Sequence, residues 1–232
     1  MIRDKKILAL VPARGGSKGI KLKNLQEISG KSLVQITAEF IQSCPHIDHG
    51  ILSTDHEQIA QVGTQYGLEV PFLRPDNLSG DFVGDRELLA HICSDYSEIS
   101  DYDILVYLQP TSPLRTNEMI RECIEAITED HFQSSWTVSE VPKKYHPLKV
   151  LTEDHASLSY FDKEGEMIIA RQQLSPSYIR NGLCYAWDLS YLRERKNPLL
   201  APKTKKILIK RPVANIDTLE DLHLAERLFK EL

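Results

Sequence analysis

The chain has 232 residues, 41% hydrophobic and 26% charged, the balance of a globular protein large enough for one big core or a core with an appended lobe. A formal net charge of −5 lacks the basic excess that marks a general nucleic-acid binder. Cys44, Cys93, Cys123 and Cys184 lie far apart with no CxxC pair, so neither a zinc framework nor a disulfide scaffold is expected. The opening "MIRDKK" runs into an apolar stretch too short for a signal segment, and no long apolar span follows; the expected setting is the cytoplasm, with no membrane partner.

In chain order, "KILALVPA" predicts a buried strand and "SLVQITAEFIQSC" an amphipathic helix with Leu33, Ile36, Phe40 and Ile41 on one face. "GILSTD" predicts a strand, "EQIAQVGTQYG" a helix closed by Gly67, and "VPFLRP" a short strand. A helix over "DRELLAHICSDY", a strand over "DILVYLQP" and a helix over "NEMIRECIEAITED" follow. Strands alternating with helices predict an α/β fold, a mostly parallel sheet covered on both faces. Between about 133 and 182 the rhythm breaks: "SSWTVSEV", "YHPLKVL", "ASLSYF" and "LCYAW" read as β segments with irregular links, an expected inserted lobe within a single domain of residues 1–232. "KKILIK" and "TLEDLHLAERLFKEL" restore a strand and a helix.

Ligands of open parallel sheets bind outside the carboxyl ends of the strands, which singles out the loops there. The first, "ARGGSKGIKLKN", gathers Arg14, Lys18, Lys21 and Lys23 around Gly15, Gly16, Ser17 and Gly19. Converging backbone N–H groups and basic side chains suit phosphate oxygens, although the spacing is neither Walker A nor GxGxxG. A solvated basic turn is the other reading. "LQPTSPLR" offers Gln109, Thr111, Ser112 and Arg115 on a backbone stiffened by two prolines, or simply a helix start capped by Thr116. "NIDTLED" puts Asp217 before a capping-box pattern; it is a helix-start residue or, beside a phosphate site, a Mg²⁺ anchor. The eight histidines show no metal-binding spacing.

The ordered set "PARGGSKGIKLKN", "STD" with "VPFLRP", "LQPTSPLR", "HPLK", "ARQQLSPSYIRNGLCYAW" and "NIDTLEDL" resembles the CMP-nonulosonic-acid synthetases, the cytidylyltransferases that activate sialic acid and bacterial relatives such as legionaminic acid. The resemblance implies a three-layer α/β/α nucleotide-diphospho-sugar transferase-like fold with a small dimerisation lobe and a homodimer. It also implies CTP and a nonulosonic acid as substrates and Mg²⁺ as cofactor. By the same resemblance, Arg14, Gly15, Ser17 and Lys23 would hold the CTP phosphates, and Lys23 would stabilise charge at the α-phosphate. Asn24 and Arg74 would face the cytosine, and Gln109 the reacting hydroxyl of the sugar. Lys149 and Arg171 would reach the sugar carboxylate of a neighbouring subunit, Asn181 and Tyr185 would shape the sugar pocket, and Asp217 with Asn215 would hold the metal.

Three positions depart from the family pattern. Lys21 stands where proline is common, Asn215 replaces the first residue of an Asp-x-Asp pair, and "KNPLL" lacks the aromatic pair that sialate enzymes can use beside the sugar's tail. The last point favours a legionaminate-like acid. Rival readings are a Kdo-activating enzyme and a catalytically silent nucleotide binder that Asn215 keeps open. An NAD-dependent dehydrogenase is disfavoured by the missing GxGxxG.

Overall fold

The computed structural model describes residues 4–194 and 199–231; Lys196, Asn197 and Pro198 of "KNPLL" lie outside them. β1 (Ile7–Pro12) leads through the basic loop to a small hairpin, β2 (Glu27–Ile28) with β3 (Lys31–Ser32), and on to α1 (Leu33–Ser43). β4 (His49–Ser53), α2 (Glu57–Gln65), α3 (Asp85–Asp95), β5 (Ile104–Tyr107) and α4 (Asn117–Thr128) follow. β6 (Ser134–Glu140) then precedes the hairpin of β7 (Leu151–Asp154) and β8 (Ser157–Tyr160), and the chain returns along β9 (Tyr178–Asp188). α5 (Leu189–Arg193), β10 (Thr204–Leu208) and α6 (Leu219–Phe229) complete the order.

Six strands form one sheet in the order β10-β6-β9-β5-β1-β4, parallel except for β9, which runs antiparallel to both β5 and β6. Strand periodicity explains the three layers. Ile7, Ala9 and Val11 of β1 pack on one face among residues of α1, α2, α4 and α6, while Leu8 and Leu10 pack on the other with α3 and α5. Burial on both faces is why β1 reads as an unbroken apolar run rather than an alternating one. The helices begin where their sequences supply caps: Ser32 Oγ accepts from Gln35 N at 3.2 Å, and Thr116 Oγ1 accepts from Met119 N at 3.4 Å. Gly67, with φ of +90°, ends α2 as expected.

Two expected strands are corrected. "VPFLRP" makes no ladder; the chain there touches the sheet edge through isolated parallel bridges, Ile51 to Glu69 and Thr54 to Leu73. Pro71 and Pro75 lack the N–H donors that a ladder requires. "YHPLKVL" folds as two 3-10 turns, Lys143–Tyr145 and Pro147–Lys149, before β7 starts at Leu151. The expected lobe also narrows. β6 and β9, at its two ends, belong to the central sheet, so the stretch that leaves the sheet runs from about 141 to 177.

Candidate active site

At the carboxyl ends of β1 and β5 a cavity of about 480 Å³ opens. The loop after β1 forms one wall. Leu22 adopts a left-handed φ of +49°, and the 3-10 turn Lys23–Leu25 follows, which delivers Lys23 and Asn24 to the cavity. Gly15 N donates to Asp55 Oδ1 at 2.7 Å, tying the loop to the end of β4. Gly19 is there because a Cβ would sit 2.4 Å from the carbonyl oxygen of Asp217; the first loop and the last one pack backbone to backbone.

The opposite wall is the "QPTS" turn after β5, and it is fixed from below. Arg115 is fully buried and donates to the carbonyls of Gln109 (2.5 Å), Ser112 (2.8 Å) and Leu183 (3.3 Å) and to Thr37 Oγ1 (3.1 Å). Among the described residues no carboxylate meets it, and burial lowers its pKa to about 10. Behind the turn, β9 bulges opposite Trp136–Val138, where the pairing register shifts. Gly182, with φ of +75°, lets that bulge approach: a Cβ there would lie 2.3 Å from Ser112 Oγ and 2.6 Å from Gln109 Oε1.

Arg14, Ser17, Lys23, Asn24, Arg74, Gln109, Asn215 and Asp217 all line this cavity, with Lys18, Asp85, Tyr107 and Thr111 beside them. Lys23 Nζ lies 2.7 Å from Asp217 Oδ1. Lys18 Nζ and Arg14 NH2 meet Asp81 at 2.6 and 3.3 Å, and Arg14 NH1 also donates to Gly80 O at 3.0 Å. Arg74, buried at the end of β4, donates to Ser53 Oγ (3.1 Å) and Ser53 O (2.7 Å), and burial lowers its pKa. Asn24, 4% exposed, donates from Nδ2 to Arg14 O at 3.0 Å while its Oδ1 has no partner among the described residues. A buried acceptor left unpaired is costly, so Asn24 is set to receive a ligand's N–H or O–H.

Four cations (Arg14, Lys18, Lys23, Arg74) line the cavity against two carboxylates (Asp85, Asp217), a charge balance that favours a polyanion. As for a metal, Asp217 presents an exposed carboxylate, and Asn215 Oδ1 accepts from Thr111 Oγ1 at 3.1 Å and Ser112 Oγ at 3.3 Å. One carboxylate and one amide oxygen at a phosphate site fit Mg²⁺, which takes one or two carboxylates and fills its shell with phosphate oxygens and water. No cluster of three or more ionisable metal ligands exists among the described residues.

The other expected residues lie elsewhere. Gly15 is in the loop but does not line the cavity. Lys149 and Arg171 are exposed in 3-10 turns of the 141–177 stretch. Asn181 is buried, its Oδ1 accepting from Thr137 Oγ1 at 2.7 Å and its Nδ2 donating to Ser139 Oγ at 3.3 Å. Tyr185 is buried too; its Oη accepts from Gly182 N at 2.7 Å, and burial pushes its pKa up to about 12. Asn181 and Tyr185 thus build the bulge that supports the site. Sequence reasoning missed Asp85 and Tyr107, whose hydroxyl donates to Asp85 Oδ1 at 2.8 Å. Tyr107 reads as a strand residue and Asp85 as a helix start, and only Tyr107's place at the carboxyl end of β5 could have flagged the pair.

A three-layer sheet with a cationic cavity over its carboxyl edge is the architecture of a nucleotide-handling α/β protein. Residues 8–229 match the family model "Cytidylyltransferase", and the chain belongs to that family of nucleotidyltransferases. It is 31% identical to the CMP-N,N'-diacetyllegionaminic acid synthase of Legionella pneumophila over 97% of each chain. It is 27% identical to the pseudaminic acid cytidylyltransferase of Campylobacter jejuni, again over 97% of each. An N-acylneuraminate cytidylyltransferase of Escherichia coli is 34% identical over 68% of this chain and 36% of its own. Among solved structures, CMP:2-keto-3-deoxy-manno-octonic acid synthetase complexed with CTP shares the fold, with a TM-score of 0.71 at 16% identity over 98% of this chain and 100% of that one. Among the described residues no helix is long and apolar enough to cross a membrane.

Proposed function

We propose that the chain transfers CMP from CTP to the anomeric hydroxyl of a nonulosonic acid, releasing pyrophosphate. The observation that carries this reading is the shared cavity: Arg14, Ser17, Lys23, Asn24, Arg74, Gln109, Asn215 and Asp217 come from four separate loops and surround one space of about 480 Å³. In the reaction the anomeric oxygen bonds to the α-phosphorus, the bond from that phosphorus to the bridging oxygen breaks, and pyrophosphate leaves with the electron pair. The hydroxyl proton passes to water or a phosphate oxygen.

Each residue has a task that its surroundings support. Arg14, Ser17 and the backbone beside Gly15 take the phosphate tail, and Lys23 leaves Asp217 to stabilise charge at the α-phosphate. Asn24 Oδ1 accepts from the cytosine amine, with Arg74 on the same side. Gln109 meets the attacking hydroxyl from the turn that Arg115 braces. Asp217 and Asn215 would hold Mg²⁺, which when bound neutralises phosphate charge.

The acid is of the N-acylated type, with a legionaminic acid first to test, because relatives that span this chain include proteins named for legionaminic and pseudaminic acids. A second copy of this chain is the proposed partner. Leu151, Leu158, Phe161, Met167 and Ile169 are all exposed within the 141–177 stretch, Ile169 at 93%, and exposed apolar side chains concentrated in one segment support an interface there. There Lys149 and Arg171 would reach the neighbour's acid. Pyrophosphate release from CTP upon addition of sialic, legionaminic, pseudaminic and Kdo acids tests the reading. Release that depends on a nine-carbon acid supports it, and release with Kdo alone moves the assignment to the eight-carbon sugar. CTP binding with no release from any acid makes the chain a silent nucleotide binder, the reading that Asn215 keeps open.

A further inference from the structure

The bulge in β9 turns Asn181 and Tyr185 inward and leaves Arg180, the residue just before them, half exposed. Its NH1 donates to Asp85 Oδ2 at 3.2 Å, and its guanidinium carbon lies 5.6 Å from the Trp136 ring centre and 5.9 Å from that of Tyr185. Asp85 lines the nucleotide cavity. Arg180 lines a second cavity of about 440 Å³ between β6, β9 and β10, together with Trp136, Val138, Tyr178, Leu200 and Lys206. The Asp85–Arg180 pair therefore links the two spaces, one partner lining each.

The second cavity offers donors and apolar surface, and little else. Lys205 is held by Asp130 at 3.2 Å, and Lys206 donates to Tyr178 Oη at 2.7 Å. Arg180 spends one N–H on Asp85 and keeps the rest of its fork. Trp136, 7% exposed, leaves its indole N–H without an acceptor among the described residues. Trp136, Val138 and Leu200 supply the apolar wall. A bare hydroxyl or a bare carboxylate could meet the donors but would leave that wall uncovered. An acylamino group satisfies both sides, its carbonyl oxygen accepting from the donors while its methyl covers the apolar surface.

We propose that this cavity takes the acylamino group of the acid co-substrate and that Arg180, steadied over Trp136 and Tyr185 and oriented by Asp85, is the specificity-determining residue that reads its carbonyl. The proposal rests on the reading of the chain as an acid-activating cytidylyltransferase. It is tested with two nonulosonic acids that differ only in bearing an N-acetyl group or a hydroxyl at one carbon. Pyrophosphate release gives kcat/KM for each, for the wild-type chain, Arg180→Met and Arg180→Lys.

The wild type is expected to prefer the acylated acid by about tenfold or more, the scale set by one polar contact in a specificity pocket. Arg180→Met removes that preference, Arg180→Lys restores part of it, and KM for CTP stays within about twofold. A merely structural role would move all of these together. A wild type without preference, or a Met variant that loses both acids alike, overturns the proposal. Saturation-transfer NMR with CMP present separates the two levels of inference. Transfer to the acetamido methyl that disappears in Arg180→Met supports the subsite. Transfer to other protons of the acid with none at the methyl overturns the subsite and spares the function. No transfer to any proton of the acid, with no pyrophosphate formed, overturns the function and the subsite with it.

Discussion

Around the cavity, backbone and side chains are tied to one another across the whole sequence. Ile216 N donates to Thr111 O at 2.8 Å, Asn215 Oδ1 accepts from Thr111 and Ser112, and Arg115 holds the carbonyls beneath. The 141–177 stretch is built the other way: four 3-10 turns, a hairpin of two four-residue strands and several exposed apolar side chains, with Leu158 73% exposed. Preorganised chemistry needs the first kind of structure, because a polar group aimed at a transition state must not reorganise when charge develops. The second kind leaves apolar surface whose burial, at about 25 cal/mol per Å², is available to an assembly. On the proposed function, the phosphate chemistry would fall to the tightly bonded region and subunit contact to the 141–177 stretch.

The sharpest way to break that assignment is Lys23→Ala. Removing one preorganised cation from the reacting phosphate is expected to cut kcat by about 10²–10³-fold. The variant should keep the wild-type melting curve nearly unchanged, since the pair with Asp217 is largely exposed on the carboxylate side and is worth at most about 1 kcal/mol. Near-normal turnover measured by pyrophosphate release would remove Lys23 from the chemistry. Leu158→Glu attacks the other region. It touches no core, so the fold should persist while light scattering shows a dimer becoming a monomer. Turnover should fall about tenfold or more as Lys149 and Arg171 are withdrawn from the neighbouring site. A wild type that is monomeric, or a variant both dimeric and fully active, would separate that surface from assembly.

Asn215→Asp sharpens the comparison on a smaller scale. A second carboxylate in the fixed region should lower the Mg²⁺ concentration for half-maximal turnover several-fold, since ligand charge sets affinity for hard cations. An unchanged metal titration would take Asn215 out of the coordination sphere.

Why the loops of the site were legible, and its floor was not, follows from the forces involved. The charges of Arg14, Lys18 and Lys23 and the caps at Thr116 and Thr218 act locally, so residue type and spacing expose them. The resemblance gives Asn181 and Tyr185 to the sugar pocket; that both are also bonded within the bulge of β9 follows from pairing between strands more than 40 residues apart, which no local pattern reveals. Asp85 and Arg180 meet across 95 positions, and nothing local in either segment announces the pair. "VPFLRP" misled for a simpler reason: its composition suits a strand while its prolines forbid the ladder.

The smallest expected effect tests the joint between the two kinds of reading, the start of α6. Asp221 accepts from Thr218 N at 2.9 Å, Thr218 Oγ1 at 2.9 Å and Asp217 N at 3.1 Å, and Thr218 Oγ1 accepts in return from Asp221 N at 3.2 Å. Partial burial works to raise the pKa of this carboxyl, but the backbone and hydroxyl donors and the nearby charge of Lys23 prevail and hold it below the ordinary value of 3.8. A lowered folded-state pKa means that the unfolded chain takes up the proton first. The stabilisation is therefore present above that ordinary value and is lost as pH falls through the folded value. Asp221→Ala should cost about 1 kcal/mol at pH 7, a melting shift of a few degrees in a domain of this size. The difference between wild type and variant should shrink as the melt is repeated from about pH 4 downward. Because the same carboxylate anchors Asp217 N, the variant should also need more Mg²⁺ for half-maximal turnover, whereas a cap with no bearing on the metal would leave that titration where it was.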